Sequence, residues 1–178
     1  MYKKRLFILI EGDDDKDLFE KVIKPIFKKK YDPVVLWKYS QKTKDEVNIF
    51  LRIIKEKWNA NYIFVADNDK LRCVPGRKEE IQEEFEVIDD KGKIMLVIRK
   101  IESWYLAGLD DDACKRFGFS PFKNTDKFGK GKFKVLRRKR FKSEEDFKRE
   151  ILNSFDIETA KRKNKSFEYF FKKYICEA

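Results

Sequence analysis

The chain has 178 residues, enough for one domain with a sizeable core, since a chain of this length buries roughly 70% of its surface on folding. It carries 43 Lys+Arg against 32 Asp+Glu, a formal net charge of +11, and no His. The missing His excludes Ser-His-Asp and Cys-His nucleophile systems, an imidazole base and any His metal ligand. Hydrophobic residues make up 42% of the chain and include 17 Phe, which excludes intrinsic disorder. Cys73, Cys114 and Cys176 form no Cys-x-x-Cys pair; they read as buried small hydrophobes and not as a zinc site. The longest apolar runs, such as Leu6 to Ile10, are five residues, so no membrane span is expected. The first ten residues lack a signal-peptide pattern, and a cytoplasmic location is expected. Abundant Lys and Glu with few Gly, Pro and Met fit a thermophile's composition.

Periodicity and punctuation give an alternating strand–helix order over the first two-thirds. Leu6 to Ile10 is a continuous apolar run, the pattern of a strand covered on both faces. Asp14 or Asp15 opens a helix carrying Leu18, Phe19, Val22, Ile23, Ile26 and Phe27, which Pro25 kinks or shortens. Pro33 to Trp37 reads as a second strand. Lys44 to Trp58 reads as a second helix, with Val47, Phe50, Leu51, Ile54 and Trp58 on one side. Tyr62 to Ala66 is a third strand, Gly76 to Phe85 a short amphipathic helix, and Ile94 to Ile98 a fourth strand with a helical start near Glu102. After Gly108 the pattern weakens. Ser143-Glu144-Glu145-Asp146 is a capping-box pattern opening a helix with Phe147, Ile151 and Leu152, and a last helix spans about Ile157 to Ile175. The order predicts a single α/β domain with a mostly parallel sheet of about four strands flanked by helices (1–108), a basic segment (109–142) and C-terminal helices (143–178).

In such sheets, sites form outside the carboxyl ends of the strands. The first strand runs into Glu11-Gly12-Asp13-Asp14-Asp15, the third into Asp67-Asn68-Asp69, and the fourth into Arg99-Lys100-Ile101-Glu102. Three strands thus deliver acids to one edge. Like charges gathered there raise one another's pKa unless a cation sits among them, and oxygen ligands without His or Cys select Mg²⁺ or Mn²⁺. Alternate residues of an extended segment point the same way, so Asp67 and Asp69 face one ion. Glu11, beside a glycine, is the candidate for acid-base work in place of His. The blander reading is turn chemistry at Asp67 and Asp69, helix-dipole stabilisation by Asp13 to Asp15, and capping by Glu102.

At these residues the sequence resembles the Toprim family, the metal-binding catalytic domain of bacterial primases, topoisomerases and overcoming-lysogenization-defect nucleases. ILIEGDDD (Ile8 to Asp15) and FVADNDK (Phe64 to Lys70) match its Glu-Gly and Asp-x-Asp elements. A closer similarity is to small prokaryotic Toprim-like proteins, which add an acidic-aromatic element, here IESWYLAG (Ile101 to Gly108), and a Ser-Phe element, here KSFEYF (Lys165 to Phe170). The resemblance covers residues 5–108 and the tail. It implies a Toprim-like three-layer fold, acid-base catalysis by Glu11, and Mg²⁺ or Mn²⁺ held by Asp67 and Asp69, with Glu102 a further ligand. Without a topoisomerase tyrosine module or a primase zinc module, it implies hydrolysis.

The positive charge is concentrated. Lys127 to Lys142 holds nine basic residues and no acidic one, interleaved with Phe128, Phe133 and Phe141. Lys127, Lys130, Lys132, Lys134, Arg137, Arg138, Lys139 and Arg140 are the expected nucleic-acid contacts; the alternative is an exposed loop and a β-hairpin edged with Lys. Lys70 and Arg99 adjoin the acidic edge, where they hold a scissile phosphate or balance its charge. Trp104 and Tyr105, like Phe167, Phe170 and Phe171, read as core. Three functional readings follow. The first is an Mg²⁺-dependent nuclease acting on DNA or RNA, with Glu11 and Lys70 catalytic. The second is a non-catalytic nucleic-acid-binding module, and the third a receiver-type phosphoacceptor domain with Asp67 as its phosphorylated residue.

Overall fold

The chain is described by a computed structural model over residues 3–69, 73–138 and 140–176. It clusters into two compact units, Met1–Leu96 and Val97–Ala178, so the basic segment and the C-terminal helices belong to one unit that also takes in Glu102.

The fold is α/β, with a four-stranded, all-parallel sheet flanked by helices. The strands are β1 (Leu6–Ile10), β2 (Val34–Lys38), β3 (Asn61–Asn68) and β4 (Ile94–Ile98), in the order β2-β1-β3-β4. β1 is buried at all five positions. Its side chains alternate between two covered faces, as an interior parallel strand requires. Phe7 and Leu9 join one apolar cluster with Tyr62, Phe64 and Ala66 of β3, and that cluster includes Val47, Leu51, Ile54, Ile81 and Phe85 from the helices that follow β2 and β3. Leu6, Ile8 and Ile10 fall on the other face and are equally buried.

The helix after β1 starts at Asp13, where the Gly12 N–H donates to the Asp15 carboxylate at 2.8 Å. It runs as α1 (Asp13–Leu18) and α2 (Lys24–Phe27). The interruption expected at Pro25 is a π-helical turn over Phe19–Ile23, just before the residue that lacks an N–H to donate. α3 (Lys44–Arg52) opens on a capping box. The Thr43 hydroxyl accepts from the Glu46 N–H at 3.2 Å, and the Glu46 carboxylate accepts from the Thr43 N–H at 2.7 Å. α4 (Val74–Glu84) lies between β3 and a 3-10 turn over Lys91–Lys93 that leads into β4.

The second unit is helical where the sequence pattern weakens. α5 (Glu102–Ala107) is buried at every position, and α7 (Lys130–Arg138), α8 (Glu144–Asn153) and α9 (Ile157–Lys163) pack on it. α6 (Asp111–Arg116) is capped by Asp110 and α8 by Ser143, each side chain accepting the N–H three residues on. α7 corrects the loop-and-hairpin alternative for the basic strip: Phe133 and Leu136, three apart, bury its apolar side. The single last helix expected over Ile157–Ile175 is also corrected. Asn164, extended at φ −141 and ψ 116, separates α9 from α10 (Lys165–Phe171), and a π turn follows over Lys172–Cys176.

Asn164 is the hub of a buried polar network. Its amide donates to Ser103 Oγ (3.3 Å) and Thr125 Oγ1 (3.1 Å), and its oxygen accepts from Ser166 Oγ (2.8 Å) and the Phe167 N–H (3.0 Å). Ser166 in turn accepts from the Trp104 indole at 2.8 Å. The two elements IESWYLAG and KSFEYF therefore meet through this hydrogen bond and through the contacts of the Trp104 ring with Phe167 and Phe170. Trp104, Tyr105, Phe167 and Phe170 are fully buried, as expected of core. Gly108 caps the end of α5 and admits no side chain, because a Cβ there would stand 2.2 Å from the Phe155 ring. Of the cysteines, only Cys114 is buried, while Cys73 and Cys176 are exposed, contrary to expectation. No helix among the described residues is long and apolar enough to cross a membrane.

Candidate functional site

The order β2-β1-β3-β4 places the reversal of chain direction across the sheet between β1 and β3. Open parallel sheets bind ligands in the crevice outside the carboxyl ends at such a point. The parallel register pairs Leu9 with Phe64. Continued past the strand end, it brings Glu11 and Asp67 to the same edge. On the other side of β1 the pairing with β2 also runs on, with the Tyr39 N–H donating to the Ile10 carbonyl (3.0 Å) and the Ser40 N–H to the Glu11 carbonyl (3.1 Å). Tyr39 therefore stands beside Glu11.

Tyr39 is held from two directions. Its hydroxyl donates to the Val65 carbonyl at 2.8 Å, and its ring stacks on Phe64 with centroids 4.6 Å apart. Burial pushes the phenol well above its ordinary value, and the charges of Glu11, Asp15 and Asp67 push it further, against the opposing charge of Arg77. The phenol thus stays protonated at neutral pH, under the charges of Glu11, Asp15 and Asp67.

Asp15, expected to stabilise a helix start, does more. It is 5% exposed, and burial pushes its carboxyl up to about 6. The Gly12 N–H opposes this shift, while Glu11 and Asp14 add to it. Asp13 behaves differently: the hydrogen bond and charge of Lys38, at 2.7 Å, hold it below the usual carboxylate range.

The strand register brings Glu11 and Asp67 to one edge; Asp15, read from the sequence as an edge acid or a helix-start residue, is buried, and Tyr39, which the sequence pattern does not mark, stands beside Glu11. Asp67 lies within β3, which extends two residues beyond the expected strand, and Asp69 is exposed in the turn that follows. Glu102 is 2% exposed at the start of α5, in the second unit. Lys70, Lys139 and the side chain of Arg138 lie outside what the structure describes.

Among the described residues, no group of three or more Cys, Asp or Glu side chains is disposed to hold a metal ion. The residues therefore do not make a closed carboxylate cage. They do suit the open kind of Mg²⁺ site, where one or two protein carboxylates share the ion with waters and substrate phosphates.

A cleft of about 300 Å³ adjoins this edge in the first unit. Tyr39, Phe64, Phe85 and Ile81 supply its apolar wall, while Glu11, Lys42, Lys44, Arg77 and Glu84 supply its charged lining.

In the second unit, Lys127, Lys130, Lys132, Lys134 and Arg140 are exposed. Lys132 Nζ lies 5.5 Å from the centre of the Phe128 ring. Arg137, another of the expected contacts, is half-buried and donates to the Lys142 carbonyl at 2.9 Å, just beyond the end of α7. Arg140 donates to the Arg116 carbonyl.

No protein-family model matches the chain, and neither does any curated protein or solved structure.

Proposed function

We propose that the chain is an Mg²⁺- or Mn²⁺-dependent hydrolase of nucleic-acid phosphodiesters. The observation that supports this reading is that Glu11 and Asp67 lie at the shared carboxyl edge of β1 and β3, where the Toprim resemblance also falls. Asp67 and Asp69 are the proposed metal ligands. When bound, the ion supplies charge neutralisation at a phosphate oxygen and a more acidic water. Glu11 accepts the proton from the attacking water, within a site where no imidazole is available. Tyr39, kept protonated, donates a hydrogen bond and fixes the strand ends between which Glu11 and Asp67 sit. The exposed Lys of the basic segment contact the phosphate backbone.

The absence, among the described residues, of a three-carboxylate group favours a second reading, a nucleic-acid-binding module without catalysis. The receiver-type reading is weaker, because it calls for Ser or Thr after β4 and a fifth strand. Arg99 and Lys100 follow β4, and the described residues contain four strands.

The test is cleavage of plasmid, single-stranded DNA and structured RNA in Mg²⁺, Mn²⁺ or EDTA, by the unmodified chain and by Asp67→Asn. The hydrolase reading expects metal-dependent cutting that Asp67→Asn abolishes while binding stays nearly intact. Equal cutting by Asp67→Asn sinks the assigned site. Salt-sensitive binding without cutting moves the assignment to the module.

A further inference from the structure

The cleft beside Glu11 has a composition that the hydrolysis of a phosphodiester does not itself require. Its volume, about 300 Å³, lies at the small end of the range for small-molecule sites, the size for one nucleotide unit and not for a duplex. One wall is aromatic. Tyr39 is stacked on Phe64 on one face and meets Phe85 edge-on, with centroids 6.4 Å apart. Phe64 and Phe85 are themselves buried while Tyr39 is only half-buried, so Tyr39 is the aromatic residue of that wall with surface left to meet a ligand.

The charged lining is net positive, with Lys42, Lys44 and Arg77 against Glu11 and Glu84. The lysines are held loosely: Lys42 lies 3.7 Å from Glu46 and Lys44 lies 3.8 Å from Glu84. Arg77 makes a closer contact with Glu80, at 3.1 Å, across one turn of α4. Half-exposed pairs of this kind contribute little and are readily redirected to a phosphate. An aromatic face with cations around it is the combination that holds single-stranded nucleic acid, the base stacking on the ring and the backbone meeting the positive charge.

We propose that this cleft takes one unstacked nucleotide next to the bond to be cut. Its base lies against Tyr39 and its phosphate is held by Lys42, Lys44 and Arg77, so the substrate is single-stranded nucleic acid. This inference rests on the hydrolase reading for its link to cleavage, but nucleotide binding itself is separable from it.

The probes are adenosine 5′-monophosphate, adenosine and inorganic phosphate, titrated calorimetrically in EDTA, where cleavage is silent. A single-stranded oligonucleotide is compared with its duplex as competitor. The monophosphate is expected to bind more tightly than either adenosine or phosphate, and the single strand to compete better than the duplex. Tyr39→Ala is expected to weaken the monophosphate about tenfold, the range seen when a stacking ring is removed. Arg77→Gln, at the rim and outside the apolar core, serves if Tyr39→Ala fails to fold, and is expected to weaken the monophosphate but not adenosine. Absence of monophosphate binding, binding unmoved by Arg77→Gln, or preference for duplex overturns the proposal. Monophosphate binding by a chain that never cuts sinks the hydrolase and leaves the subsite standing. Metal-dependent cutting without monophosphate binding does the reverse.

Discussion

Replacing Asp15 by Asn removes a titratable group that is 5% exposed and whose carboxyl is pushed up to about 6. Well below pH 3.8 the carboxyl is protonated in both folded and unfolded chains and has no effect on their balance. As pH rises from 4 towards 6, the unfolded chain releases the proton while the folded chain keeps it, so the folded state loses ground. Above about 6 both are ionised and the loss is complete. The distance from 3.8 to about 6, at 1.36 kcal/mol per pH unit, sets that loss at about 3 kcal/mol. Asn keeps an oxygen to accept the Gly12 N–H, which donates at 2.8 Å, though to a neutral acceptor and so with about 1 kcal/mol less gained. Asp15→Asn is therefore expected to match the unmodified chain near pH 4, or fall slightly below it, and to exceed it by about 1–3 kcal/mol near pH 7.5. Urea unfolding across that pH range in EDTA, read by far-UV dichroism and by the fluorescence of Trp37 and Trp58 in the first unit, measures the difference. A difference that does not change with pH, or a variant less stable at every pH, refutes the reasoning.

Two other outcomes follow from the second unit. Ser166→Ala removes the hydroxyl that accepts from the Trp104 indole and donates to the Asn164 oxygen inside the core. It is expected to cost about 1–3 kcal/mol in urea unfolding, with loss of the near-UV tryptophan signal; an unchanged midpoint counts against the network. Lys127→Gln combined with Lys134→Gln removes two exposed cations. The slope of log K against log salt for nucleic-acid binding is then expected to flatten by roughly 0.7–0.9 for each phosphate that no longer meets a cation. An unaltered slope places the nucleic-acid surface elsewhere.

Much of the sheet was legible because strands covered on both faces consist of little but apolar residues. Leu6 to Ile10 and Ile94 to Ile98 carry that signal at both ends, and β1 and β4 have those bounds. β3 runs to Asn68, past the apolar run, because the extended backbone continues into polar residues whose hydrogen bonds leave no trace in composition. Glu11 and Asp67 were legible as candidates from their place after apolar runs. The burial of Asp15 was not legible, because it depends on how α1 lies on the sheet and not on any pattern in DDDKDL. Tyr39 was hidden for a similar reason: its role comes from standing between two strand ends distant in sequence. Past Gly108, α6 has six residues, too few for a periodic pattern. α7 sets only Phe133 and Leu136 against a run of Lys and Arg, so its apolar side is a narrow stripe in a strongly basic stretch.

The Asn164 network also bears on the order in which the second unit forms. Its members come from Ile98 and Ser103 at one end, Thr125 in the middle, and Asn164 and Ser166 at the other. The hydrogen bonds that complete it span up to 68 positions. α5 has no solvent-facing side of its own, and its indole donates to a hydroxyl 62 positions further along the chain. Contacts so distant in sequence slow a folding reaction. On a ribosome, where the N-terminal part of a chain emerges first, β1, β2 and β3 can pair well before residues 164–166 are made. α5 waits, apolar and incomplete, for the segment that carries Asn164 and Ser166.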